Sequence, residues 1–251
     1  MFLRQYSGAV LILLAVWLAA GSAAAQAVMF GFRLVPPYVI QQHDGRLAGL
    51  EYELVMAAAE AGSLQLRPEI APFGRLTEDF RRGSSQGFVP ANIEMALPGC
   101  LTETLLVYRN TAFTLRDRRL PIAQISDLAH YDVLAFQNAH QVLGPGMDAV
   151  RQGNPRYQEV ANQMLQLRAL FSGRTDVVIA DRRIFRYLMR SPDGGVDTSQ
   201  AVTEHNLFQP TSYAVAFRDA AHCQAFNTGL ARIKRDGAFD AIMQRWDNRA
   251  S

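Results

Sequence analysis

Cysteine is nearly absent: the 251 residues contain only Cys100 and Cys223. A disulfide-built scaffold is therefore excluded. One bond or two free thiols remain open, because separation along the chain does not report geometry. His43, His130, His140, His205 and His222 are scattered singly. No metal-ligand spacing results, and neither a metal nor another cofactor is expected. Charge of one sign is not in excess, with a formal net charge of +2. That near balance argues against nucleic acid as a partner. Beyond the N-terminus, no run approaches the ~20 apolar residues that a spanning helix needs.

The N-terminus is where apolar residues concentrate. Arg4 precedes an apolar stretch at 9–20, and both Ala23-Ala24-Ala25 and Ala25-Gln26-Ala27 fit a small-residue cleavage site. Residues 1–27 read as a secretory signal peptide that delivers the chain to the periplasm, with a retained N-terminal anchor as the alternative. No cysteine follows the apolar stretch, so lipid anchoring there is not expected. The remaining chain is long enough for one large domain or two small lobes. Its positive charge is mostly arginine, which suits carboxylate or phosphate recognition but also occurs on plain surfaces.

Residues 28–32 read as a first strand, and Pro36-Pro37 forces an extended turn. Asp44-Gly45 signals a hairpin between 38–40 and 47–50. Leu54, Val55, Ala58 and Ala59 mark the buried face of a helix over 51–61, stopped by Gly62. A strand at 64–70, a helix at 72–82 and a third strand at 92–97 follow, an α/β order. Residues 105–115 form one long extended stretch. A helical turn at 125–128 has Ser126 as its cap. A strand at 132–136 and a helix near 147–152 come next. Strand 213–217 leads to two helices split at Asp236-Gly237.

The stretch 171–181 organises the second half. Gly173 supplies the left-handed stop of a helix. Val177, Val178 and Ile179 make a covered strand. Asp181 then stands at the strand's carboxyl end, where open α/β sheets bind ligands. Two readings stand side by side: a carboxylate facing a crevice to hold a cationic group, or a cap on the next helix. One α/β unit interrupting another, with extended segments leading between them, implies two lobes and a hinge.

In this order the residues resemble the solute-binding proteins of bacterial ABC importers, the polar-amino-acid type with the two-lobed type II periplasmic-binding fold. The markers are Pro36-Pro37-Tyr38, 45–54 from Gly45 to Leu54, Ser126-Asp127-Leu128, 172–181, 213–218 and 235–246. The resemblance covers nearly all of the chain after the leader. It implies lobe 1 at 28–112 and 213–251, lobe 2 at 113–212, and two crossover strands as the hinge. It implies no catalysis, a monomer, capture of a small polar solute, and ABC permease subunits or a periplasmic partner protein.

The site itself departs from the family pattern. The family's Thr-x-Thr-x-x-Arg stretch, whose arginine pairs with the ligand carboxylate, aligns with 99–104, placing Gly99 and Thr104 at its ends without the arginine. The Gly-Thr turn that also receives that carboxylate becomes Gln137-Asn138-Ala139-His140. The acidic residue that takes the ligand ammonium is kept as Asp181. Arg33 is offered as the replacement charge, against a solvated surface arginine, and Arg75 resembles a variant in some relatives. Tyr38, Phe32 and Phe73 either line the pocket or pack the core. Asn138 and His140 would reach the solute from lobe 2. Two alternatives are carried. One is a non-transport accessory or sensor serving a periplasmic system such as an oxidoreductase. The other is a dehydratase-like enzyme using Asp181 with His140.

Overall fold

The computed structural model describes residues 27–191 and 195–250, the last three as backbone only. The leader read at 1–27 lies, up to Gln26, outside them. β1 (Val28–Phe32) is covered on both faces, as its apolar run requires. β2 (Ile40–Gln41) and β3 (Leu47–Ala48) pair as a hairpin around Gly45, whose φ of 81° only glycine adopts readily. α1 (Leu50–Ala61) buries Leu54, Val55, Ala58 and Ala59 on one stripe, with Glu51 on the same face. β4 (Leu66–Ile70), α2 (Phe73–Arg82) and β5 (Gly87–Ala91) follow.

β5 corrects the expected third strand. The strand ends before 92–97, and Ile93–Met95 is a short 3-10 turn. Pro90 inside β5 reads as a breaker. It is tolerated because the pairing with the neighbouring strand is irregular there, so no N–H is demanded of it.

After β6 (Cys100–Leu101) and β7 (Leu106–Tyr108) the chain changes sheet at Arg109 and continues as β8 (Asn110–Leu115). The extended stretch 105–115 is thus two strands in two sheets, and residues 110–112 run in the second. A 3-10 helix at Ile125–His130 is capped by Gln124 and Asp127 rather than by Ser126. Then come β9 (Val133–Phe136), α3 (Ala139–Val142), α4 (Pro145–Gly153), β10 (Tyr157–Val160) and α5 (Gln163–Phe171). β11 (Val177–Asp181), α6 (Arg182–Arg190) and β12 (Val202–His205) complete this part. The return passes through β13 (Thr211–Phe217) to α7 (Ala220–Arg235) and α8 (Ala238–Ala250). The sequence missed β6, β10 and β12 because they are short and lack a clean alternation.

The first sheet has the order β4-β1-β5-β13-β6, with β7 also on β13. The second has the order β10-β9-β11-β8-β12. β1 is parallel to β4 and β5, and β9 is parallel to β10 and β11. Each lobe therefore gathers the carboxyl ends of parallel strands on one edge, where ligands sit in open α/β sheets. Cys100 and Cys223 are bonded, tying β6 to α7, so the free-thiol alternative is set aside. α7 also crosses α1 closely: a side chain at Gly229 would strike the Ala58 carbonyl. The lobes meet along α6, where Ile184 joins the first lobe's apolar core and Arg183 pairs with Asp247 of α8 at 2.9 Å.

Candidate functional site between the lobes

β11 delivers Asp181 to its carboxyl end, and there the protein itself claims the carboxylate. Oδ1 accepts from the N–H groups of Arg183 (2.9 Å) and Ile184 (3.2 Å), capping α6. Oδ1 also accepts from the Tyr38 hydroxyl at 2.9 Å, and Oδ2 from the Arg109 N–H at 2.9 Å. Asp181 is 2% exposed. Burial pushes its pKa up, and the surrounding donors oppose that shift. The capping reading describes this geometry. The same carboxylate also bridges the lobes, because Tyr38 belongs to the first and Arg109 is the crossover residue. It is not open to the inter-lobe space here.

The first lobe presents the opposite situation. Arg33 follows β1, and its guanidinium lies over the Phe73 ring, 5.2 Å from the centroid. Its Nε is buried with no protein partner. Glu51, in the first turn of α1, is 0% exposed. Oε2 accepts from the Tyr108 hydroxyl at 3.1 Å, while Oε1 has no partner. Burial raises the Glu51 pKa to about 7, with the Arg33 charge and the Tyr108 bond pulling it down. Tyr108 stacks on Tyr38 at 4.1 Å and meets the edge of Tyr213 at 4.6 Å. A chain of contacts therefore runs from Glu51 through Tyr108 and Tyr38 to Asp181.

Sequence reasoning missed Glu51, Tyr108 and Tyr213. A signal for Glu51 existed: it falls in step with Leu54, Val55 and Ala58 on the stripe of α1 that faces the core. A carboxylate on an apolar stripe is the informative kind of exception.

In the second lobe, Asn138 and His140 lie in the turn after β9. Glu159 of β10 accepts from the Asn138 N–H at 2.7 Å and the His140 N–H at 3.0 Å. The His140 Nδ1 is 2.7 Å from the same carboxylate. His140 and Asp181 are thus each hydrogen-bonded to other partners.

The other sequence candidates scatter. Phe32 is wholly buried against Phe30 (5.0 Å) and Tyr52 (5.2 Å), so it packs rather than lines. Tyr38 is also wholly buried, but its hydroxyl works at the lobe junction. Phe73 is half-buried under Arg33. Arg75 is exposed on α2 and pairs with Asp79 at 3.3 Å. Gly99 and Thr104 are exposed on either side of β6. Among the described residues, no group of three or more His, Cys, Asp and Glu could hold a metal ion.

No protein-family model matches the chain. It is similar to the amino-acid-binding protein AabA of Dichelobacter nodosus, 24% identical over 216 residues that cover 84% of this chain and 83% of that one. Among solved structures it resembles a histidine kinase sensor domain with similarity to periplasmic binding proteins. That match has a TM-score of 0.72 and 22% identity, covering 88% of this chain and 95% of the other. It also resembles an ancestral arginine-binding protein bound to arginine, with a TM-score of 0.70 and 17% identity over 88% of this chain and 97% of that one. Two sheets, two crossings between them and these likenesses agree: the chain has the two-lobed, type II fold of periplasmic solute-binding proteins.

Proposed function

We propose that the protein captures a small polar, amino-acid-like solute between its lobes in the periplasm, for delivery to ABC permease subunits. Lobe 1 then comprises the first sheet with α7 and α8, and lobe 2 the second sheet, hinged at Arg109 and at 206–210. One observation carries the reading. At the ligand-binding edge of the first lobe, a buried arginine nitrogen and a buried carboxylate oxygen lack protein partners. Buried polar groups are normally paired, and a solute carrying both an acceptor and a donor would pair both. The relative named for amino-acid binding and the arginine-bound neighbour support the same solute class. Arg33 is the charged anchor, Phe73 its stacking support, and closure around the solute follows the general logic of two-lobed binders. Asn138 and His140 take part by shaping the second wall rather than by donating free groups. Asp181 holds the lobes in register.

Thermal-shift screening against the amino acids and their decarboxylated amines tests this, since a ligand bound only by the folded state raises Tm. The expected result is a rise for at least one compound that Arg33→Ala abolishes. No shift from any of them would overturn the reading.

A second reading, an accessory or sensor component of a periplasmic system, is favoured by the saturation of Asp181 by protein donors. It predicts lobes that stay in one arrangement with or without solute, which small-angle scattering would report.

A further inference from the structure

We propose that Glu159 is a built-in anion that closes the second lobe's turn to carboxylate ligands, so that an anionic group on the solute is read by Arg33 of the first lobe and not by that turn. This rests on the solute-binding reading above. β9, β10 and β11 run parallel. Their carboxyl ends share the edge at which Asp181 touches Tyr38 of the first lobe. The turn after β9 therefore lies on the inter-lobe edge. Asn138 in that turn has a left-handed φ of 64°. Backbone of this kind turns successive N–H groups the same way and makes a receptor for anions.

The receptor is already filled. One Glu159 oxygen takes the Asn138 N–H at 2.7 Å, and the other takes the His140 N–H at 3.0 Å. The His140 ring and the Tyr157 hydroxyl close on that second oxygen at 2.7 and 2.6 Å. Tyr157 lies two residues before Glu159 on β10 and so on the same face, where it adds a donor from below. Burial pushes the Glu159 pKa up, but the bonds from Tyr157, His140 and Asn138 outweigh it and leave the carboxyl below its ordinary range. The anion therefore persists at neutral pH. A carboxylate arriving from solution competes with one held in place by the chain, which has the advantage of effective concentration. It also meets a like charge. The first lobe has no such plug: the Arg33 Nε is buried and unpaired.

The test uses small anions, not the natural solute. Acetate and sulfate are titrated into the 15N-labelled protein while the amides of Asn138 and His140 are followed. In the wild type these two signals are expected to stay in place. In Glu159→Ala they are expected to move, with an apparent affinity about tenfold or more above the wild type. Tyr157→Phe keeps the plug and is expected to behave as the wild type. If Glu159→Ala does not fold, Glu159→Gln, which keeps the size and removes the charge, carries the same expectation at smaller amplitude.

Wild-type amides that respond as strongly as those of the variant would overturn the proposal. A folded Glu159→Ala whose amides ignore both anions would do the same. Neither result depends on finding a solute. Failure here leaves the capture reading standing, and an empty amino-acid screen would sink that reading without touching this measurement.

Discussion

The two lobes handle carboxylates withdrawn wholly or partly from water in opposite ways. In the first, Glu51 is sealed from water and receives a single hydrogen bond, from Tyr108. Its pKa rises to about 7. In the second, Glu159 and Asp181 each collect donors from backbone and side chain. For Glu159 those donors win over burial, and for Asp181 complete burial still wins. Burial alone therefore does not set a carboxylate's state. The number of donors aimed at it, weighed against the water removed, does. The lobe that leaves a buried carboxyl with a single hydrogen bond is also the cross-linked one, with β6 held to α7 by Cys100–Cys223.

The largest way to break this contrast is to remove the cross-link. The bond closes 123 residues of sequence separation, for which loop-closure reasoning gives a stabilisation of about 3–5 kcal/mol. Cys100→Ser with Cys223→Ser should lower Tm sharply. Protection of first-lobe amides from hydrogen exchange should fall well before that of the second. Equal loss in both lobes would mean that they unfold as one unit.

Next in size is the pH dependence of Glu51. The carboxyl is raised from an ordinary 4.5 to about 7, so between these values the folded protein holds a proton that the unfolded chain has released. Stability is then fully present below about pH 4.5 and lost as pH rises through 7, by an amount on the order of 3 kcal/mol. Asp181, raised in the same direction, adds to the slope. Melting curves from pH 5 to 8 should show this decline, and Glu51→Gln should remove most of it. A slope that survives the substitution would assign the titration to Asp181.

A smaller effect is expected from Tyr38→Phe. It deletes one of the Asp181 donors and the inter-lobe bond while keeping the ring stacked on Tyr108. Destabilisation of about 1–3 kcal/mol should follow. Amides at the start of α6 should exchange faster, since the cap they share with Tyr38 loosens. Unchanged exchange at Arg183 and Ile184 would show that the backbone donors suffice.

Much of the framework was legible from local pattern. The stripe of Leu54, Val55 and Ala58, the run Val177–Ile179 and the series Phe226, Leu230, Ile233 are period signals, and all are buried. Gly45 and Gly173 mark left-handed turns, and both have positive φ. The third strand, expected at 92–97, lies instead at Gly87–Ala91 and carries Pro90, a residue that local rules treat as a break. The missed strands β10 and β12 are four residues each, half-buried and mixed in polarity. Their identity comes from the neighbours they pair with.

The sequence by itself determined the α/β alternation and the position of Asp181 at a strand end, because hydrophobic period, turn residues and caps act over a few neighbouring residues. Only the tertiary structure decided that Cys100 meets Cys223, that Tyr38 claims Asp181 across 143 positions, and that Glu51 is left with an open oxygen. Those outcomes depend on which distant donors arrive at a buried group, and burial and hydrogen bonding are properties of the packed chain rather than of any segment of it.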